Sequence, residues 1–181
     1  MSTAAIEQGT GTEGVHDLQR IWPQVRQVFA GPGARVIASI NADGSPHVTP
    51  IGTLALRHDC TGYYLERFPT HLPRNIERDD RICVYADQSG LLTWLRHLIR
   101  GRFDRLVAIR LVGRAGARRP STEQERERFL RQVRIFRWTR GHDLLWGNLQ
   151  YARDLVFDGY VPIEAGQMTK GSGPPSLPVD S

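Results

Sequence analysis

A short apolar run that breaks into a turn and resumes as a second extended segment constrains this chain more than anything else in it. Val36, Ile37, Ala38 and Ile40 are followed at once by Asn41-Ala42-Asp43-Gly44. Asn and Gly tolerate positive φ, so residues 41–44 predict a hairpin turn. Pro46 then opens a second strand, where its missing N–H is tolerated, and this strand is expected to run to about Leu56. Asp59-Cys60 and Gly62 mark another turn, and Tyr63-Tyr64-Leu65 begin a third strand. Residues 70–80 read as a short helix rich in caps and charges, and Ile82 to Tyr85 as a return strand. Antiparallel strands, a short helix and a return strand in about fifty residues fit a compact β-barrel plan.

At 181 residues the chain has room for one domain with a real core. Residues 1–14 lack an apolar period and read as a flexible tail, 15–165 as the folded domain, and 166–181, with Pro174, Pro175 and Pro178, as an extended or disordered tail. No apolar run reaches the length of a membrane span. The N-terminus carries no basic segment ahead of an apolar core, so a secretory signal is not expected. Cys60 and Cys83 have no paired-ligand spacing and read as free thiols of a cytoplasmic protein. The net charge is +5, and Lys170 is the only lysine among 24 basic residues. That charge is spread along the chain, which favours a solvated surface over a nucleic-acid interface. No nucleic-acid or membrane partner is expected.

Ahead of the hairpin, Leu18, Ile21, Trp22, Val25, Val28 and Phe29 recur at helical spacing. Asp17 is placed to cap this helix and Gly31-Pro32-Gly33 to end it. Pro23 either starts the helix or kinks it. After the return strand, Leu91, Leu92, Trp94, Leu95, Leu98 and Ile99 form one face of an amphipathic helix. Such a helix can cover a ligand, pack on a partner or touch a membrane surface. Leu106 to Ala115 reads as a strand. Ser121 or Thr122 can cap a following helix, with Gln124 or Glu125 completing a capping box. Phe129, Leu130, Val133 and Phe136 supply its apolar stripe, and Tyr151 to Val161 is a last strand. Trp138 and Trp146, with Arg140 and His142 between them, can line a pocket or fill core.

His47, His58, His97 and His142 share no metal-ligand spacing, so no metal site is expected. No GxSxG or Cys/His nucleophile pattern is present.

The string Ala-Ser-Ile-Asn-Ala-Asp-Gly-Ser-Pro-His-Val-Thr-Pro-Ile (38–51) resembles the opening hairpin of the pyridoxamine 5'-phosphate oxidase-like family, and Arg74-Asn75-Ile76-Glu77-Arg78-Asp79-Asp80-Arg81-Ile82 resembles its helix-to-strand segment. The resemblance covers roughly residues 18–115. It implies an α+β, mainly β architecture: an antiparallel Greek-key split β-barrel with peripheral helices. It further implies a homodimer with flavin mononucleotide (FMN) at the subunit interface, and electron or hydride transfer to a small organic substrate. Relatives of this barrel bind haem or a deazaflavin instead, or no cofactor. A haem would need a histidine such as His71 or His142.

The resemblance also assigns site residues. A Ser/Thr-Arg-Lys-like triplet holds the flavin phosphate in relatives; here it reads Thr70, His71 and Leu72. The hydroxyl is kept and the two cations are lost, leaving Arg74 or Arg67 to replace them. The second strand supplies Thr49-Pro50-Ile51, but Leu54 stands where relatives carry a lysine. Leu65 and Glu66 match positions whose backbone lies near the cofactor. Thr70 would also open a helix, whose free N–H groups suit an anion.

Overall fold

The computed structural model describes residues 13–31, 33–66, 71–87, 108–134 and 149–163. The expected helix at Leu91–Ile99, the segment from Trp138 to Asn148, residues 1–12 and 166–181 of the two tails, Phe136, Arg67 and Thr70 lie outside them, while Glu13 and Gly14, expected in the N-terminal tail, open the first helix. Strands β1 (Arg35–Ile40), β2 (Pro46–Pro50), β3 (Ala55–Leu56), β4 (Thr61–Glu66), β5 (Arg81–Asp87), β6 (Ala108–Pro120) and β7 (Tyr151–Pro162) are joined by helices α1 (Glu13–Ala30), α2 (His71–Arg78) and α3 (Glu123–Gln132).

All seven strands form one sheet in the order β2-β1-β5-β6-β7-β4-β3, and every pairing is antiparallel. The two edge strands, β2 and β3, are consecutive in sequence and joined only by residues 51–54. Five residue steps reach about 18 Å at most, whereas six strand spacings in a flat sheet span about 29 Å. The sheet must therefore roll until its edges approach. The linker is tied to both sides of that seam: Ile51 N–H donates to the Arg35 carbonyl at 2.9 Å, and the Thr53 hydroxyl donates to the Leu65 carbonyl at 2.8 Å. The sheet is a split barrel, as the family resemblance implied.

The hairpin closes as expected, with Asn41 N–H on the Ser45 carbonyl at 2.8 Å; Gly44 alone supplies the positive φ there, +81°. The second strand is shorter than its apolar pattern suggested. It stops at Pro50, which cannot donate to a ladder, and a turn at Gly52-Thr53 separates it from β3.

Helix α1 buries Leu18, Ile21, Trp22, Val25, Val28 and Phe29 in the main core and lies against β3, β5, β6 and β7. Trp22 Nε1–H reaches the Arg57 carbonyl at 2.8 Å. One expectation for this helix is corrected, and of the two roles open to Pro23 the helix start is excluded. The helix starts at Glu13, placing Asp17 inside it and not at its cap. It also runs through Pro23. Gln19, whose carbonyl loses its usual donor there, is exposed along with Pro23, so water can serve that carbonyl.

Helix α3 has the capping box in full: Thr122 Oγ1 accepts from Glu125 N–H, and the Glu125 carboxylate accepts from Thr122 N–H. Phe129 is buried, but Leu130 is 37 % exposed and does not join the stripe. It lies about 100° round the helix from Phe129, away from the Glu125–Phe129 face. Glu125 also meets Arg57 and Arg119, which share Asp154 on β7. Cys60 is buried and Cys83 half-buried, both unpaired; burial pushes both thiols up from the ordinary cysteine range. Among the described residues no helix is long and apolar enough to cross a membrane, and no group of three metal-ligating side chains comes together.

Candidate functional site

Helix α2 sorts its side chains cleanly. Leu72, Pro73, Asn75 and Ile76 are buried, while His71, Arg74, Glu77 and Arg78 are exposed. Pro73 sits in the first turn, where no backbone donor is needed. Two polar ties fix the helix to the end of β1. The Asn75 side-chain amide donates to Ser39 Oγ at 3.1 Å and to Asn41 Oδ1 at 2.9 Å. Arg78 donates to the Ile40 carbonyl at 2.5 Å.

These ties leave a groove of about 540 Å³ between α2 and the β1–β2 hairpin, lined by Asn41, Ala42, Asp43, His47, His71, Arg74, Asn75 and Arg78. His47, opposite Ser39 in the ladder, brings its ring to the ring of His71 at 5.6 Å between centroids. Thr49, two residues further along the same strand face, contacts His47 Nδ1 through its hydroxyl at 3.3 Å. The one lining acid, Asp43, is turned to Ser45, whose hydroxyl and N–H donate to it at 2.6 and 2.9 Å; those bonds hold its carboxyl below the usual range. Arg74 has no hydrogen-bond or ion-pair partner among the described residues. Two guanidiniums and two imidazoles thus face one opening, and the one carboxylate that lines it among the described residues is already engaged. That arrangement suits a phosphate.

The residues predicted from sequence separate into three places. His71 and Arg74 line the groove, and Thr49 touches it through His47. Pro50 is exposed at the end of β2, and Ile51 packs against the main core beside the seam. Leu65 and Glu66 lie across that seam on β4. Leu65 belongs to a second apolar cluster with Tyr63, Phe129, Leu149 and Ala152. The Glu66 side chain is buried and held by Arg153 at 2.6 Å and Arg118 at 2.8 Å, so its carboxylate is committed to the fold. Leu54 and Leu72, where relatives would carry cations, are both core residues.

His47, Asn41, Asn75 and Arg78 also form the groove and were not among the predicted binding residues. Two of them had a signal. His47 precedes Thr49 by the strand period of two, and Arg78 follows Arg74 by one helical turn.

Among curated protein sequences, none matches this chain significantly. The family model for pyridoxamine 5'-phosphate oxidase matches residues 21–155. The chain belongs to that family. Solved structures share the fold of this family member at low identity. An FMN-binding protein from Syntrophomonas wolfei subsp. wolfei aligns at 10 % identity over 84 % of this chain and 92 % of its own, with a TM-score of 0.57. HupZ from Group A Streptococcus aligns at 16 % identity over 80 % and 94 %, TM-score 0.54. A protein described as an F420 reductase aligns at 10 % over 75 % and 94 %, TM-score 0.52. Identities this low speak to the barrel alone.

Proposed function

We propose that this family member binds FMN by its phosphate in the groove beneath α2 and serves as a flavin-dependent oxidoreductase for a small organic substrate. The observation that carries the reading is the guanidinium of Arg74, without a hydrogen-bond or ion-pair partner among the described residues, beside His71, His47 and Arg78. Arg74 and Arg78 hold the phosphate, the two imidazoles donate to it, and Asn75 keeps α2 at the right distance from the hairpin. When bound, the flavin supplies the hydride or electron transfer, which explains why no acid–base pair is needed in the chain.

The same protein acts as a homodimer in this reading. Cross-strand registers place Val48, Ala38, Cys83 and Val112 in one row over β2, β1, β5 and β6. All four point away from the barrel core, and Val48 is 60 % exposed. Val156 and Val161 on β7 lie on the same face, opposite the exposed Arg114 and Arg110 of β6, and an apolar row with a charged rim suits a second copy. A cytoplasmic location accords with the two free thiols.

A second reading has its own support: Leu54 and Leu72 are core residues, so two cation positions of the family are closed to a phosphate. In that reading the barrel carries no FMN and takes a deazaflavin, haem or nothing. Titration of apo protein with FMN, followed by flavin fluorescence, separates the two. Binding at micromolar FMN is expected, and Arg74→Gln should weaken it by about ten- to a hundredfold, the worth of one charge-assisted hydrogen bond. Absence of binding, or an Arg74→Gln variant with unchanged affinity, rules out the phosphate site.

A further inference from the structure

Away from the α2 groove, and sharing no lining residue with it, lies a second cavity of about 330 Å³ at the start of β1. Three elements build it. Arg26, Phe29 and Ala30 project from one face of α1 at the i, i+3, i+4 spacing. Arg128 and Gln132 do the same from α3, at i, i+4, and Leu54 and Leu56 form an apolar floor between the two helices. Arg35 closes the end.

The charge balance of this cavity is unusual. Among the described residues three guanidiniums line it, and no carboxylate does. Arg35 is held by the carbonyls of Phe29 and Gly31, the latter at 2.7 Å, so its charge is turned to the negative end of α1. Its Nε is buried and has no acceptor among the described residues, and burial pulls the guanidinium below the ordinary arginine range. Arg26 meets a ring nitrogen of His58 at 2.8 Å, which brings no negative charge. On α3, Glu125 stands one turn before Arg128 and is taken by Arg57 and Arg119. Like charges gathered over an apolar floor without a counter-charge raise a strong positive potential.

We infer that this cavity is a binding site for a small organic anion: a carboxylate or phosphate head met by Arg26, Arg35 and Arg128, with an apolar or aromatic body on Phe29, Leu54 and Leu56. Its volume falls at the lower end of small-molecule sites. The site is separate from the flavin reading and stands without it.

Calorimetric titration of the full chain with phenyl phosphate and with benzoate tests the assignment, alongside the uncharged analogue benzyl alcohol. The same titrations are run on Arg128→Gln, on Arg26→Gln/Arg128→Gln, and on the groove variant Arg74→Gln. Arg35 is left in place because it ties down the end of α1. At least one anion is expected to bind, and whichever binds tighter distinguishes phosphate from carboxylate. Benzyl alcohol should bind at least about tenfold more weakly. Arg128→Gln should weaken the anion by about tenfold and the double variant by more, each with an unchanged melting temperature. Arg74→Gln should leave anion binding as it is, and the double variant should bind FMN as the parent does. Failure of both anions to bind, equal binding of benzyl alcohol, or a double variant with parental affinity overturns the site. So does loss of anion binding in Arg74→Gln, which would move the anion to the α2 groove.

Discussion

Replacing Arg153 with methionine probes the most deeply buried charge in the barrel. Its side chain is 2 % exposed and its Nε donates to Glu66 at 2.6 Å, while Nη2 reaches Glu77 at 3.0 Å and Nη1 the Gly116 carbonyl at 3.3 Å. Burial works against the Arg153 charge, but the hydrogen bond and field of Glu66 outweigh it and raise the guanidinium. Methionine fills most of the volume and removes the charge, leaving Glu66 in a site where its side chain is 4 % exposed. Removing one partner of a buried pair typically costs about 3–5 kcal/mol. Arg118, at 2.8 Å from the other Glu66 oxygen, still neutralises part of the stranded carboxylate, so the lower end, about 3 kcal/mol, applies. For a chain of this length that corresponds to a fall of about 6–12 °C in melting temperature. Thermal unfolding followed by circular dichroism measures it. The double replacement Arg153→Met/Glu66→Leu should recover most of the loss, because a well-packed apolar pair often matches a buried ion pair. A single variant that melts within about 1 °C of the parent, or a double variant no better than the single, would refute the argument that stranded charge is the cause.

Gly113→Ala should also destabilise. The β6–β7 register shifts at Val112/Gly113, and an added Cβ would come to 2.0 Å from the Val156 carbonyl oxygen. Because the obstacle is backbone, a loss of about 1–3 kcal/mol is expected by chemical denaturation. Acid should act on Asp154, which the paired Arg119 and then Arg57 hold at about 2, against burial pulling the other way. A carboxylate depressed in the folded state stabilises above its unfolded value, and that stability is lost as pH falls towards the folded one. Denaturation midpoints of the parent and Asp154→Asn should therefore differ by a constant amount above pH 5 and converge between about pH 4 and 2. The difference is small because the Asp154 side chain is 41 % exposed, and a gap that persists at pH 2 would contradict the assigned cause.

Local rules made the elements legible. The α1 core face followed from helical spacing, the hairpin from Asn41 to Gly44, the α3 cap from Thr122 and Glu125, and the family from the hairpin and helix-to-strand strings. Each depends on residues within about one turn or one strand of each other, so periodicity and cap chemistry suffice. The misread boundaries have local causes too. Pro23 stays in α1 because its side of the helix is wet, and β2 ends because Pro50 cannot donate.

The sequence by itself determined most stretches of helix and strand, and that the chain belongs to a barrel family. Only the tertiary structure decided what they meet. Rolling the sheet brings β2 next to β3, seats α2 on the end of β1, and thereby sets His47 against His71 across 24 residues. It gives the Glu66 carboxylate to Arg153, 87 residues away, and sinks Leu54 and Leu72 into the core. Charge pairing and burial act through space with no regard for sequence separation, so no pattern along the chain can announce them.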